Sequence, residues 1–155
     1  MRHRMLAACL AVIFTTPTLA NEAEVLALAD RALELINAED MEGFTAMWHE
    51  GATVVAVGER DGNRQVAVRS REQTLAEPLN VDLVERGWAP VTLVSGPIAV
   101  VWYPYDLYVD GEWLHCGIDV FNFVHDGESW KIASIVYSAV QPPACEAHPD
   151  GPPAP

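Results

Sequence analysis

Asp106, His115 and Asp119 are the three side chains whose types and spacing suit proton transfer. They lie on two apolar, β-branched and aromatic runs, 98–109 and 112–124, separated by Asp110-Gly111. An Asp-Gly pair between two such runs is the strongest short-range signal for a hairpin. A two-residue turn sets Val109 opposite Glu112. Continuing back along the strands, Asp106 faces His115, Pro104 faces Gly117, Trp102 faces Asp119 and Val100 faces Phe121. Facing residues share one side of a sheet. One side is therefore expected to carry Trp102, Asp106, Tyr108, Trp113, His115, Asp119, Phe121 and Phe123. The other carries Val101, Tyr103, Tyr105, Leu107, Leu114, Cys116, Ile118 and Val120. The mixed side has the composition of a ligand pocket, mostly apolar with a few convergent polar groups. The aliphatic side calls for a cover, for which a second copy of the chain is the expected source.

On this register an Asp106 carboxylate beside His115 would favour the imidazolium and orient the ring. The pair could then give or take a proton. Asp119 against the Trp102 indole would have a raised pKa and could act as a general acid or base. His115 and Asp119 lie four residues, or about 13 Å, apart on one strand, so without a bend no small group or metal touches both. A structural reading of Asp106–His115, two buried groups satisfying each other, competes with the chemical one. A slip of one residue would scatter the set. Trp48, Trp102, Tyr108, Phe121 and Phe123 are the expected ligand walls. His49, expected at the end of a helix, more often binds the last carbonyls than a ligand. Phosphate loops, nucleophile elbows and metal-ligand spacings are missing from the sequence, so neither cofactor nor metal is expected.

The elements that must hold this hairpin are legible on both sides of it. Apolar residues at Val25, Leu28, Ala29, Ala32, Leu35 and Ile36 have helical spacing, predicting a helix over 21–38. Asp40 can cap a second helix over 41–48. Residues 52–57 and 64–68 are strand-like around Asp61-Gly62. Ser70 and Gln73 have capping-box spacing for a short helix that Pro78 would end. Strands are expected over 81–86, 91–93, 98–109, 112–124 and 129–140, and a proline-rich disordered tail over 141–155. Helices followed by a long antiparallel meander define an α+β protein whose strongly curled sheet wraps the helices into a cone with a cavity.

Residues 1–20 stand apart. Arg2 and Arg4, an apolar run from Met5 to Phe14, and small residues up to Ala20 follow the order of a secretory signal peptide cut after Ala20. Its product would be periplasmic or secreted, with a single domain over 21–140. The chain carries a net charge of −13. The leader holds two of its basic residues and none of its acids, so cleavage makes the charge −15. Such a surface repels nucleic acid and anionic membranes. Cys116 and Cys145 remain as a possible disulfide in an oxidising compartment.

The runs Val101-Trp102-Tyr103-Pro104-Tyr105-Asp106, Asp110-Gly111, His115-Cys116-Gly117-Ile118-Asp119-Val120-Phe121 and Trp130-Lys131-Ile132, with Met47-Trp48-His49-Glu50-Gly51-Ala52 before them, resemble exported members of the nuclear transport factor 2-like superfamily. The resemblance implies a cone fold over about 24–140. It does not choose among ketosteroid isomerases, polyketide cyclases, dehydratases and non-catalytic binding modules. Asp119, His115 and Asp106 are the residues that could play the cyclase-like parts. The tyrosine donor of the isomerases has no evident counterpart, since Tyr108 falls near the hairpin turn. The leading expectation is an exported dimeric module that binds a small apolar or aromatic molecule. The alternatives are a cofactor-free acid–base enzyme using Asp119 and Asp106–His115, and a protein-interaction module.

Overall fold

The Asp110-Gly111 turn forms as its sequence requires, with both residues at positive φ, 52° and 78°. It joins the two long strands around which everything else is arranged. A computed structural model describes residues 22–76 and 81–154; the leader 1–20 and the stop at Pro78 lie outside these. In chain order the elements are α1 (Glu22–Asn37), α2 (Met41–Ala46), β1 (Trp48–Arg60), β2 (Asn63–Ser70), α3 (Arg71–Ala76), β3 (Leu83–Gly87), β4 (Val91–Ser95), β5 (Ile98–Val109), β6 (Glu112–His125) and β7 (Trp130–Ala139). The sheet order is β2-β1-β7-β6-β5-β3, with β4 also on β5. β3 pairs with the end of β5 nearest the turn and β4 with its start. The expected meander is antiparallel throughout except that β1 runs parallel to β7, the last strand closing onto the first.

Local signals are met where they are strongest. Asp61 and Gly62 turn β1 into β2 at positive φ. The Ser70 and Gln73 side chains bond each other's backbone N–H groups, at 3.2 and 2.8 Å, as a capping box does. Asp40 Oδ1 accepts from Gly43 N at 2.8 Å and caps α2. That helix is shorter than expected: Trp48 and His49 belong to the start of β1, and His49 is exposed.

α1 lies across β3, β4 and β5. Val25, Ala29 and Ala32, on one stripe of its surface, are fully buried there. Opposite them the inner face of the sheet supplies Val101, Tyr103, Phe121, Phe123 and Ile132. Of the side expected to be covered by a second subunit, Val101, Tyr103, Tyr105 and Leu107 lie instead in the core under the chain's own helices, whereas Cys116, Ile118 and Val120 are on the outer face.

Candidate functional site

The register that places the site is set by one extra residue. Val109↔Glu112 and Tyr108↔Trp113 pair as the turn dictates. The next pair is Leu107↔His115, so Leu114 is a β-bulge, and it is exposed. Past a bulge the two strands change their relative phase. Asp106 therefore faces Cys116, Tyr103 faces Asp119 and Val101 faces Phe121. The expected set divides between the two faces. His115, Asp119, Phe121 and Phe123 stay on the inner face, whereas Trp102, Asp106 and Tyr108 lie on the outer one. Asp106 and His115 do not pair, and Trp102 does not meet Asp119. The turn has its expected length; the slip comes from the bulge beyond it.

On the inner face Asp119 stands in a cross-strand row between Tyr103 and Tyr137. Its carboxyl is 2% exposed and shares a hydrogen bond with Glu85. Burial, and then the Glu85 charge, hold the Asp119 pKa well above the usual carboxylate range. Burial also raises Glu85, while the bond from Asp119 opposes that rise. Burial thus holds both carboxyls toward the protonated form. Asp119 Oδ2 has no hydrogen-bond partner among the described residues. Glu85 is fixed from behind by Asn37 at the end of α1. The Asn37 side-chain amide donates to Glu85 O at 2.8 Å and accepts from Glu85 N at 2.7 Å, as a neighbouring strand would. Gly87 leaves the space that the Tyr103 ring fills, since a Cβ there would lie 2.7 Å from it.

His115 is held by Tyr105. The tyrosine Oη lies 3.0 Å from His115 Nδ1 and 3.0 Å from Ser138 O. A carbonyl only accepts, so the single hydroxyl proton goes to Ser138 O. His115 Nδ1 must then be the donor to Oη. This fixes the tautomer, and Nε2 carries the lone pair. Burial pushes the imidazole pKa down, keeping the ring neutral; the imidazolium expected from an adjacent Asp106 does not form. Gly117, opposite Tyr105, permits the arrangement, because a Cβ there would run into Ser138 O. His115 also stacks on Tyr137, with the ring planes 12° apart.

These groups line a cavity of about 170 Å³. Ile36, Met41 and Phe44 form its helical wall, and Val54, Leu107, Phe121 and Ile135 its sheet wall. Glu85, Tyr105, His115, Asp119 and Tyr137 provide polarity at one end, with Arg69 and Thr74 from the β2–α3 side. The Thr74 hydroxyl is buried without a partner among the described residues. Of the expected walls only Phe121 reaches the cavity. Phe123 stacks behind it in the core, and Trp48 is buried against Phe44. Trp102 is 38% exposed on the outer face. Tyr108 stacks on Trp113 beneath the Arg86 guanidinium.

Asp106 has a different role. It is fully buried on the outer face and takes two bonds from Arg86, at 3.0 and 2.6 Å. It also accepts from His148 N at 3.2 Å. That residue belongs to the proline-rich segment expected to be disordered. The segment is instead tethered as a strap across this face. Val140 exchanges backbone bonds with Cys116, and Cys145 is disulfide-bonded to Cys116, with the Cα atoms 6.0 Å apart. Trp88 packs edge-on against His148.

The architecture is that of the nuclear transport factor 2-like, cystatin-like proteins, and 316 chains of solved structure match it. One, a nuclear transport factor 2-like protein with a cystatin-like fold from Novosphingobium aromaticivorans, has a TM-score of 0.61 at 13% identity, over 76% of this chain and 80% of that one. A nuclear transport factor 2-like protein of unknown function from Pseudomonas putida gives 0.60 at 14%, over 85% and 96%. The beta subunit of benzoate 1,2-dioxygenase from Burkholderia mallei gives 0.61 at 13%, over 81% and 93%. At such identities the likeness defines the fold. No protein-family model and no curated protein matches the chain.

Proposed function

We propose that this chain is an exported small-molecule-binding module whose ligand occupies the inner cavity. The carrying observation is an apolar cavity of about 170 Å³ whose lining brings together the Glu85 and Asp119 side chains and the His115 imidazole. A small molecule with an apolar body and one polar group would meet both parts of that lining, which is mostly apolar with a few convergent polar groups, as ligand sites are. The volume suits one ring or a short chain, because a cavity of about 150 Å³ holds benzene. Export is supported by the order of residues in the leader and by the Cys116–Cys145 pair. The deciding experiment is native mass spectrometry of protein purified from its own host, followed by titration of the captured class of compound into wild type and Asp119→Asn. Retained ligand that still binds the variant supports a binder. Emptiness in every preparation, with no compound binding, sinks the reading.

A second reading, a cofactor-free acid–base enzyme, is favoured by His115. A neutral imidazole with an assigned lone pair is a proton acceptor, and Asp119, whose pKa burial raises, lines the same cavity. Turnover with a pH profile lost in both His115→Gln and Asp119→Asn would establish it.

The outer face supports self-association. Val91, Trp102, Val120, Val136, Val55 and Val68 form one cross-strand row over six strands. Leu93 and Ile98 beside it are 63% and 58% exposed. A homodimer through this face should appear in sedimentation equilibrium and be lost in Leu93→Glu; a monomeric wild type would refute it.

A further inference from the structure

His115 is the polar group of the cavity whose hydrogen-bonding role the geometry fixes. Its Nδ1 proton goes to Tyr105 Oη, and the Tyr105 proton goes to Ser138 O. Nε2 is left as an acceptor. It has no partner among the described residues, yet it is not enclosed, and its ring lines the cavity. Glu85 and Asp119 are bonded to each other. The same lining also carries donors, Arg69, Thr74 and Tyr137, of which Arg69 and Tyr137 are engaged in interactions of their own. An ammonium only donates, and a carboxylate or ketone only accepts. A hydroxyl does both, so it is the group that suits a lone pair and donors on one wall.

We infer that the cavity takes a phenol, a single aromatic ring whose hydroxyl donates to His115 Nε2 and whose face lies against Phe44, Phe121 and Tyr137. This rests on the reading that the cavity binds a small molecule, and it names the class. Two further observations select a ring over an alkyl chain. Phe44, Tyr105, His115, Phe121 and Tyr137 all line the cavity, and aromatic pairs gain more than the area they bury. The volume of about 170 Å³ suits one ring, since a cavity of about 150 Å³ holds benzene. A phenol is also a better donor than an alkyl alcohol, because its proton is more acidic, with a pKa of about 10. At about pH 8 even an unperturbed imidazole is mostly neutral, and burial pushes the His115 pKa lower still. At that pH the ring keeps its lone pair and the phenol keeps its proton.

The test is calorimetric titration of the full chain, freed of its leader, at about pH 8. The probes are phenol, anisole and toluene, which share the ring and differ in the donor, and cyclohexanol, which has the hydroxyl and no aromatic face. Phenol is expected to bind at least about fivefold more tightly than anisole or toluene, the effect of one hydrogen bond, and more tightly than cyclohexanol. Nitrogen NMR at the same pH should show the His115 Nε2 signal move on adding phenol and stay in place on adding toluene, while Nδ1 keeps its proton throughout. His115→Phe, which keeps a ring and removes the lone pair, should bring phenol and toluene to within about twofold; the NMR comparison on wild type decides the matter if that variant does not fold. Anisole, toluene or cyclohexanol binding as tightly as phenol, an Nε2 signal indifferent to bound phenol, or a phenol preference that survives His115→Phe would each overturn the phenol assignment while leaving a ligand cavity in place. Failure of all four probes to bind would overturn the cavity reading itself, and the assignment with it.

Discussion

At the scale of single residues, two inner-face groups have measurable signatures. Asp119 binds its proton more tightly in the folded chain than in the unfolded one, because burial and Glu85 raise its pKa. Stability from such a group is complete below the unfolded value and is lost as pH rises through the folded one. Urea melts should therefore show wild type losing stability as pH climbs above the ordinary carboxylate range. Glu85→Gln should flatten that slope and gain on the order of 1 kcal/mol at its alkaline end, where two like charges no longer meet. A steeper slope in the variant would contradict the contribution of Glu85 to the raised Asp119 pKa. His115 offers a second signature. Nitrogen NMR of the imidazole should report the Nδ1–H tautomer at neutral pH, and Tyr105→Phe should mix the tautomers and cost about 1 kcal/mol. A predominant Nε2–H form in wild type would reverse the direction of the bond between His115 and Tyr105.

At the scale of elements, the bulge decides what the hairpin does. Removing Leu114 would make Tyr108↔Trp113 and Leu107↔His115 consecutive pairs of a regular ladder, with His115 and Asp119 still on the inner face. That deletion should keep ligand binding and most of the stability in thermal or urea melts; loss of both would show that the bend at the bulge is itself required. The bulge also marks the boundary of what the residues alone disclose. Turn chemistry and alternation locate both strands of the hairpin to within a residue, and Asp61-Gly62, Asp40 and Ser70–Gln73 are read correctly from local rules. No local rule marks Leu114 as the residue that bulges, so Asp106 is assigned to His115 when its partner is Arg86. Glu85 is missed for a related reason. Its meaning comes from β3 pairing with β5 and from Asn37, 48 positions away in sequence. A Glu alternating with Leu83 and Gly87 in a strand is the one available hint. The Asp106–Arg86 pair itself is buried and geometrically well matched, so Asp106→Ala should destabilise the chain by about 3–5 kcal/mol. Adding Arg86→Ala should recover part of that loss, since the orphaned charge goes with it.

At the scale of the whole molecule, the strap and the cavity lie on opposite sides of one sheet. The Cys116–Cys145 bridge closes a separation of 29 residues, and chain-entropy arguments put its loss at about 3–4 kcal/mol. Cys145→Ser should lower the melting temperature accordingly and make the segment after Val140 cleavable by proteases that spare the wild type; equal resistance would mean that Arg86, Asp106 and Trp88 hold the strap unaided. The two sides are joined by a peptide bond. Glu85, which faces the cavity, and Arg86, which holds Asp106 under the strap, are consecutive in the five-residue strand β3. Neither side can fray without disturbing the other's anchor. Amide hydrogen exchange should then register them as one cooperative unit. The β3 amides and that of His148 should exchange at a common rate, and reducing a disulfide on the outside of the sheet should quicken exchange at Glu85 on the inside.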